Sequence, residues 1–378
     1  MKNTPKIIVA PNSFKGSIDS FRICQIIKGE LKKTISSNCI IDCIPIGDGG
    51  DGTAYIIARN LGAIKKYYPT TGPLGRRRVA PIYIHRHTAI IEMADVSGLR
   101  LVSKEDYNPT ISSTEGLGKL ISKLLLEGIN KLILCIGGSA TIDMGLGALK
   151  GMGAVFYDSQ DIIINDINIK TLTEIKKIDS TRLSRFHKLK IDVLCDVENT
   201  LLGKKGAIRT YGEQKGVKAE DIDSLESQHF YMCKLLETIS GKNLINCNHG
   251  GAAGGLTIGL SAFLDLNLYG GTDYVLDLLN FNDKLNNCKI IISGEGCMDS
   301  QSVFGKAPYI IAQRAASKKI NCIAINGQTK SLPALFTKAF SLIDYTNEIA
   351  ESIANPEPYI KKAANDIANL IIDNNILK

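Results

Sequence analysis

The sequence repeatedly places a short apolar run directly before a polar, glycine-rich loop. The runs are KIIVA (6–10), CIIDCIPI (39–46), KLILCI (131–136), KIDVLC (190–195) and KIIIS (289–293), and the loops after them are PNSFKGS, GDGGDGT, GGSATIDMG, DVENTLLG and GEGCMDSQ. Short β-branched runs of this kind are typical of buried strands in a parallel sheet. Because open parallel sheets bind ligands outside the carboxyl ends of their strands, we predict that these five loops share one site.

Helical periodicity separates the runs at both ends of the chain. Apolar residues at 21, 24, 27 and 31 recur at spacings of three and four, which predicts a helix capped by Ser17. Near the other end, Pro308 is predicted to start a helix between strands at 289–293 and 321–325. A further strand is predicted at 341–345, followed by a last helix from about Pro358. This alternation favours a doubly wound, Rossmann-like parallel sheet.

At about 100–200 residues per domain, a chain of 378 residues is long enough for two domains. We predict a Rossmann-like α/β domain from residues 1–68 and 286–378, with residues 69–285 inserted as a second α/β domain and the active site in the cleft between them. The insert has strand-like runs at 79–85, 88–93, 131–136 and 190–195. Its helix from Thr114 to Glu127 is predicted to begin with a capping box of Ser112 and Glu115.

Composition narrows the class of protein. The net charge is +7, but the basic residues are dispersed and aromatic residues make up only 6% of the chain, which argues against nucleic acid as a partner. No apolar stretch reaches the length of a membrane span, and no signal peptide is recognisable at the N-terminus. The ten cysteines form no C-x-x-C pair, so we expect reduced thiols and a cytoplasmic protein.

The loops contain the groups that phosphoryl transfer requires, which are cations and N–H groups for phosphates, carboxylates for Mg²⁺ and a base for the attacking hydroxyl. In the first loop, Ser13, Lys15, Gly16 and Ser17 lie where a strand turns into a helix, a position suited to phosphate. An ordinary helix cap with a solvated lysine is the alternative. In the third loop, the polar groups of Gly138, Ser139 and Thr141 suit a carboxylate or phosphate, or form only a tight turn. Candidates in the last segment are Glu295 and Lys306.

Four aspartates are the candidate ligands of Mg²⁺, namely Asp48, Asp51, Asp196 and Asp299. Asp48 and Asp51 are three residues apart in one flexible loop, and Asp196 emerges directly from an apolar strand. Asp196, Lys15 and Asp48 are the predicted catalytic residues. A capping Asp-Gly turn and a salt bridge at a strand end are the corresponding structural alternatives.

Three other sequence patterns that often mark functional sites do not identify one in this chain. The chain has no G-x-x-x-x-G-K-[ST], so an ATP site would not be a Walker A loop. HGGAAGG (249–255) has the composition of an oxyanion-hole loop, but the chain contains no G-x-S-x-G to supply a nucleophile. His85 and His87 share one side of a strand without a third ligand at sensible spacing, and we interpret them as structural.

The ordered blocks KIIVAPNSFKGS, IPIGDGGDGT, EMADVSGL, CIGGSATIDMG, CDVENTLLG, YGEQKG, HGGAAGG and SGEGCMDSQSVFGKAP resemble those of the bacterial type I glycerate kinases over nearly the whole chain. The resemblance implies a two-domain α/β enzyme that uses Mg-ATP to phosphorylate D-glycerate, typically at the 2-hydroxyl. It also supports Asn199 as a site residue, and Lys215 of YGEQKG is a candidate to bind the substrate carboxylate.

Three departures from the family pattern fall in these loops. Asn12 replaces an aspartate, and Ile142 and Met144 replace the Asn and Gly of SATNDGG, which we expect to affect the substrate pocket. A kinase for another small hydroxy acid and a non-catalytic sugar-acid-binding module therefore stay open as alternatives. The sequence also leaves open which acid is the general base, which hydroxyl reacts, and whether the protein is a monomer or a homodimer.

Overall fold

The computed structural model describes residues 4–35, 38–303, 305–346 and 348–377, apart from the side chains of Gln301 and Val303. The strands are β1 (Lys6–Pro11), β2 (Ile40–Cys43), β3 (Ile64–Thr71), β4 (Arg77–His85), β5 (Thr88–Glu92), β6 (Lys131–Cys135), β7 (Val155–Tyr157), β8 (Lys177–Asp179), β9 (Lys190–Leu194), β10 (Leu266–Tyr269), β11 (Cys288–Gly294), β12 (Cys297–Met298), β13 (Asn321–Asn326), β14 (Gln328–Thr329) and β15 (Phe336–Ser341). The helices are α1 (Ser20–Thr34), α2 (Thr53–Leu61), α3 (Ala94–Ser97), α4 (Glu115–Leu126), α5 (Leu146–Met152), α6 (Ala207–Tyr211), α7 (Ile222–Ser240), α8 (Leu256–Phe263), α9 (Gly271–Leu278), α10 (Phe281–Lys284), α11 (Ala307–Ser317), α12 (Ile349–Ala354) and α13 (Glu357–Asp373).

The first compact unit combines the two ends of the chain, Met1–Asp48 and Thr272–Lys378. Its sheet has the order β15-β13-β11-β1-β2, and every neighbouring pair is parallel. Alternate strand residues, such as Ile7 and Val9 of β1, share one apolar cluster with the inner faces of α1 and α13. Helix α11 packs on β11 and β13. Since strands covered by helices in this way are continuously apolar, the sequence pattern of these runs follows from their burial.

The second unit, Gly49–Gly271, is inserted between those two segments. Its sheet has the order β10-β9-β6-β5-β4-β3, in which β3 and β4 run antiparallel to their neighbours and the remaining pairs are parallel. A large apolar cluster around this sheet includes residues of α4, α5, α7 and α8. The predicted fold class, a parallel-sheet α/β domain with a second α/β domain inserted, is confirmed.

The limits of the units differ from the predicted domain boundaries after residues 68 and 285. The first division follows Asp48, because α2 packs against β4, β5 and β6 of the second sheet. The second division follows Gly271, and α9 lies with the first unit, where Arg314 of α11 forms ion pairs with Asp273 and Asp277. The placement of an active site in a cleft stays a prediction.

Three local predictions are wrong. Helix α1 is capped by Asp19, whose carboxylate accepts a hydrogen bond from the N–H of Arg22, rather than by Ser17. The last strand of the first sheet is β15, and the predicted strand at 341–345 is mostly the 3₁₀ turn Leu342–Tyr345. The capping box of α4 does not form, because Ser112 Oγ donates to the carbonyl of Asn108 instead.

Each of the ten cysteines is a free thiol. Within the described ranges, no helix has both the length and the apolar character that crossing a bilayer requires.

Two helical glycines have opposite surroundings and form a matched test of helix packing. A Cβ added at Gly118 of α4 would lie 1.9 Å from the carbonyl oxygen of Ala148 in α5, whereas one added at Gly29 of α1 would meet no atom within 4 Å. We expect Gly118→Ala to lower the free energy of unfolding by about 1–3 kcal/mol, since α4 and α5 must separate. Gly29→Ala should raise it by about 0.5–1 kcal/mol through helix propensity. Urea unfolding of both variants checks this, and equal effects would contradict the close approach of α4 and α5.

Candidate active site

In the first unit, two of the predicted loops meet at the carboxyl edge of the sheet. The loops follow β1 and β11, which are adjacent strands, and the N–H of Asn12 donates to the carbonyl of Gly294 at 2.9 Å. A Cβ at Gly296 would lie 3.5 Å from Phe14 Cα and 3.7 Å from the backbone nitrogen of Lys15. The Lys15 loop and the Glu295 loop therefore form one continuous surface.

The first charged group on this edge is the pair of Lys15 and Asp48. Lys15 Nζ lies 3.1 Å from Asp48 Oδ2, with the lysine side chain 70% exposed and the aspartate 19% exposed. Asn12 is buried and donates through Nδ2 to the same carboxylate oxygen at 3.2 Å. The family resemblance predicts an aspartate at position 12, and Asn12 forms a hydrogen bond where two carboxylates would repel each other.

The second charged group surrounds Glu295 and Lys306. Glu295 is nearly buried and accepts a 2.8 Å hydrogen bond from Ser302 Oγ, while Lys306 Nζ lies 3.5 Å from Glu295 Oε2 and 3.4 Å from Asp299 Oδ1. Burial raises the pKa of the Glu295 carboxyl above its usual range, although Lys306 opposes that shift. Lys306 immediately precedes α11, so one cation and two acids converge at a helix start.

The rest of the first loop does not form the predicted helix-end phosphate site. Ser17 Oγ donates to the carbonyl of Ile353 at 2.6 Å, and the carboxylate of Asp19 occupies the helix N-terminus. Gly16 adopts a left-handed φ of 76°, and the N–H of Ser13 is bound to Asn12 Oδ1. An anion at this edge would therefore meet the Lys15 side chain rather than the N-terminus of α1.

The predicted metal ligands are divided between the two units. Asp48 and Asp299 belong to the first unit, and Asp51 and Asp196 belong to the second. Among the residues that the structure describes, no three His, Cys, Asp or Glu side chains are placed to hold a metal ion. A Mg²⁺ that accompanies a nucleotide needs only one or two carboxylates beside phosphate oxygens and water, and the paired acids Glu295 and Asp299 fit that requirement.

In the second unit, Asp51 belongs to a charged network that the sequence prediction missed. Arg100 contacts Asp95 at 2.6 Å, Glu92 at 3.3 Å and Asp51 at 3.6 Å. Glu92 lies at the end of β5 and accepts hydrogen bonds from the N–H groups of Gly52 and Ala54 at the start of α2. Burial raises the pKa of Glu92 to about 7. The network therefore connects the GDGGDGT loop to β5.

The loop after β6 contacts a buried lysine, Lys215 of the segment YGEQKG. Lys215 Nζ donates to Ser139 Oγ and to the carbonyl of Thr141, each at 2.8 Å. Burial lowers the pKa of Lys215 to about 7. Thr141 Oγ1 is buried and has no hydrogen-bond partner among the described residues. Gly138 takes a left-handed φ of 70°, and a Cβ there would lie 3.0 Å from Asp51 Oδ1.

The two family departures in this loop lie in the core. Ile142 and Met144 are 1% and 0% exposed and belong to the large apolar cluster of the second unit. Between them, Asp143 is fully buried and accepts hydrogen bonds from Thr114 and from the N–H groups of Gly145 and Gly147. Ile142 and Met144 are thus packing residues, and the carboxylate between them fastens a turn.

The loop after β9 is held by its own side chains. Asp196 Oδ1 accepts a 2.5 Å hydrogen bond from the N–H of Gly271. Asn199 donates through Nδ2 to the carbonyl of Lys205 at 2.7 Å and accepts from the Tyr211 hydroxyl at 2.8 Å. Both predicted site residues therefore contribute to the shape of the loop, whatever they bind.

Some of the predicted residues contact one another within their unit, and the structure adds neighbours that spacing alone did not single out. In the first unit these are Ser302 and Asn326, whose Oδ1 accepts from the N–H of Glu295 at 3.1 Å. In the second they are Glu92 and Arg100, which lie in the block EMADVSGLR. An acid that ends a buried strand, as Glu92 does, is the signal that could have identified this network.

Comparison with known proteins finds extensive similarity. A family model described as the glycerate kinase family matches residues 7–372. A glycerate kinase of Halalkalibacterium halodurans is 36% identical over 370 residues, which cover 96% of this chain and 97% of that protein. A glycerate 2-kinase of Escherichia coli is 34% identical over 85% of each chain. A crystal structure assigned as glycerate kinase 2 from Salmonella typhimurium superposes with a TM-score of 0.82 at 30% identity, covering 99% of this chain and 100% of that one.

The buried ammonium of Lys215 should make stability depend on pH. Its pKa falls from an ordinary 10.5 to about 7 on folding. Between these values the unfolded chain holds a proton that the folded chain lacks, so the wild type gains stability as pH rises through that range. The free energy of unfolding of Lys215→Met minus that of the wild type should therefore be larger at pH 6 than at pH 9. At pH 6 the wild type bears the full cost of a buried charge, which the methionine variant does not have.

Urea unfolding at several pH values measures this difference, with exposed Lys204→Met as the control that should follow the wild type. Parallel curves for the wild type and Lys215→Met would show that the lysine keeps its charge over the whole range.

Proposed function

Because the chain belongs to the glycerate kinase family, we propose that it transfers the γ-phosphoryl group of ATP to a hydroxyl of D-glycerate, giving 2-phosphoglycerate. The observation that carries the proposal is the meeting of Lys15, Asp48, Glu295 and Lys306 on one sheet edge in a chain that the family model matches over residues 7–372. Cations beside carboxylates suit a magnesium-bound polyphosphate.

The first unit is assigned to the nucleotide. Lys15 is mostly exposed and Lys306 is about one-third exposed, so both ammonium groups can contact phosphate oxygens. Asp299 and Asp48 would contribute carboxylate oxygens to Mg²⁺, which would neutralise charge on the phosphates. When ATP binds, each lysine would exchange a carboxylate contact for a phosphate contact, and its acid would become available to the metal.

The second unit is assigned to glycerate. Ser139 Oγ accepts a hydrogen bond from Lys215, which leaves the hydroxyl proton of Ser139 for donation to a substrate carboxylate. The buried ammonium behind it strengthens that donation, because charge in a low-dielectric site is weakly screened. The unpartnered Thr141 Oγ1 is a second donor in the same loop. Asp51 and Asp196 stay predicted metal ligands.

The reaction forms a bond from the glycerate oxygen to the γ-phosphorus and breaks the bond from that phosphorus to the bridging oxygen of ADP. The proton of the attacking hydroxyl must leave during this exchange. Because the transition state is loose, holding the two substrates in line contributes more than proton removal does. Asp196, Lys15 and Asp48 stay the predicted catalytic residues.

A kinase for another small hydroxy acid is one alternative, and a non-catalytic sugar-acid-binding module is the other. The core positions of Ile142 and Met144 weaken the argument for the first, since these substitutions were the sequence reason to expect a different substrate pocket.

Purified protein with Mg-ATP should release ADP in a coupled assay when D-glycerate is added, and omission of Mg²⁺ should abolish the release. ³¹P NMR of the product should show a phosphate ester on the 2-hydroxyl. ADP release with another hydroxy acid but not with D-glycerate would replace the substrate. Binding of D-glycerate without any ADP release would favour a non-catalytic module.

Lys306→Ala should raise the KM for ATP and lower kcat/KM by about 10- to 100-fold, the effect expected when one charge-assisted hydrogen bond is lost. Lys318→Ala, an exposed lysine at the other end of α11, is the matched control and should behave as wild type. Steady-state kinetics with varied ATP measures both, and equal KM values for the two variants would remove Lys306 from the nucleotide site.

A further inference from the structure

The proposed function leaves no role for the loop HGGAAGG (249–255), which packs against two of the predicted site loops in the second unit. The N–H of Gly251 donates to the carbonyl of Asn199 at 2.8 Å, and the carbonyl of Gly254 accepts from the N–H of Met144 at 3.2 Å. A Cβ at Gly251 would lie 2.3 Å from the carbonyl oxygen of Thr200, and one at Gly254 would lie 2.1 Å from that of Thr141. Close backbone contact on both sides therefore requires glycine and fixes where His249 stands.

His249 is held in one tautomer. Its Nδ1 lies 2.8 Å from the carbonyl oxygen of Val197, and a carbonyl can only accept, so Nδ1 carries the proton. In the neutral ring, Nε2 then has its lone pair available to accept a proton. Thr257 Oγ1 donates to the His249 carbonyl at 2.9 Å, which fastens the main chain. This is the arrangement that orients a general base.

The backbone of His249 is also held in an uncommon conformation. Its φ is 62°, in the left-handed region, and its side chain is only half-buried. By comparison, His229 is fully buried, with Nε2 2.8 Å from the carbonyl of Ile142, and belongs to the core. The left-handed backbone of His249 costs free energy. An ordinary surface histidine, in a common backbone conformation, would not carry this cost.

One carboxylate adjacent in sequence to Val197, which His249 contacts, already accepts a hydrogen bond. Asp196, which precedes Val197, accepts a short hydrogen bond from the N–H of Gly271. Oδ1 of Asp196 is thus committed to the main chain, whereas Nε2 of His249 lies on the side of the ring opposite its contact with Val197.

We propose that His249 is a catalytic residue of the phosphoryl transfer, with Nε2 accepting the proton of the attacking glycerate hydroxyl. As that oxygen bonds to the γ-phosphorus, the bond to the bridging oxygen of ADP breaks and its electron pair stays with ADP. The O–H proton moves to Nε2, and the imidazolium then releases it to water. This assignment rests on the proposed kinase function.

His249→Asn separates the chemistry from the loop structure. Asparagine tolerates left-handed φ, and its amide N–H can replace Nδ1–H as donor to Val197, but it has no counterpart of Nε2. We expect kcat to fall about 100-fold or more, the usual contribution of a general base, with the KM for ATP unchanged. His187→Asn, at an exposed histidine, is the control and should retain wild-type turnover.

His249→Gly provides a second and independent measurement. Glycine accepts the left-handed φ without strain and leaves space where the ring stood, so added imidazole should restore part of the lost turnover. Circular dichroism and thermal unfolding of both variants check that they fold. Rescue by imidazole supports the assignment even if His249→Asn proves unstable, because a purely structural role would not respond to a free base.

The possible outcomes separate a failure of the His249 assignment from a failure of the proposed kinase function. Wild-type turnover of D-glycerate combined with an Asn variant within about threefold of wild type, or with a Gly variant that imidazole does not rescue, overturns the role of His249 alone. No wild-type turnover of D-glycerate overturns the kinase proposal and this assignment with it.

Discussion

The parallel pairing of β1 with β11 is the contact on which the first unit depends. It joins the two ends of the chain, and Ser293 Oγ donates to the carbonyl of Ala10 across 283 positions of the sequence. The pairing aligns the carboxyl ends of the two strands, so the loops with Lys15 and Glu295 begin at the same height on the sheet. The insert between Asp48 and Thr272 forms a second compact unit, which follows β2 and precedes α9 in the chain.

Buried charge is the second constraint on the molecule, and the second unit satisfies it with hydrogen bonds. Glu92, Asp143 and Lys215 are buried, and each has at least two partners. An unpaired charge in these positions would cost several kcal/mol, so such groups persist only where the surrounding loops supply donors or acceptors. Because these partners lie in the candidate site loops, fold stability and site geometry rest on the same contacts.

Glycine supplies the close approaches between loops. A Cβ added at Gly251 of HGGAAGG would clash with a backbone oxygen of the loop after β9, and one added at Gly254 would clash with a backbone oxygen of the loop after β6. A methyl group at Gly251 or Gly254 would push the loops apart and move the ring of His249. The sequence offered only a likeness to an oxyanion-hole loop for this segment, and the close backbone contacts were revealed by the structure.

Much of the architecture was determined locally and could be predicted from the sequence: the apolar runs became strands, and the glycine-rich segments became the loops after them. Lys15, Asp48 and Glu295 were predicted as site residues in the same way, because strand ends can be recognised from neighbouring residues, and their roles stay predictions. Strand β15, the division after Asp48 and the hydrogen bond of Ser17 to the Ile353 carbonyl were decided by tertiary structure, since each depends on a partner distant in the chain. The network of Glu92 with Arg100 and the single tautomer of His249 belong to the same class. The cap of α1 at Asp19, by contrast, is a local contact with the N–H of Arg22. Periodicity encodes which face of a segment is buried, whereas a hydrogen bond between two loops exists only after the sheets have brought those loops together.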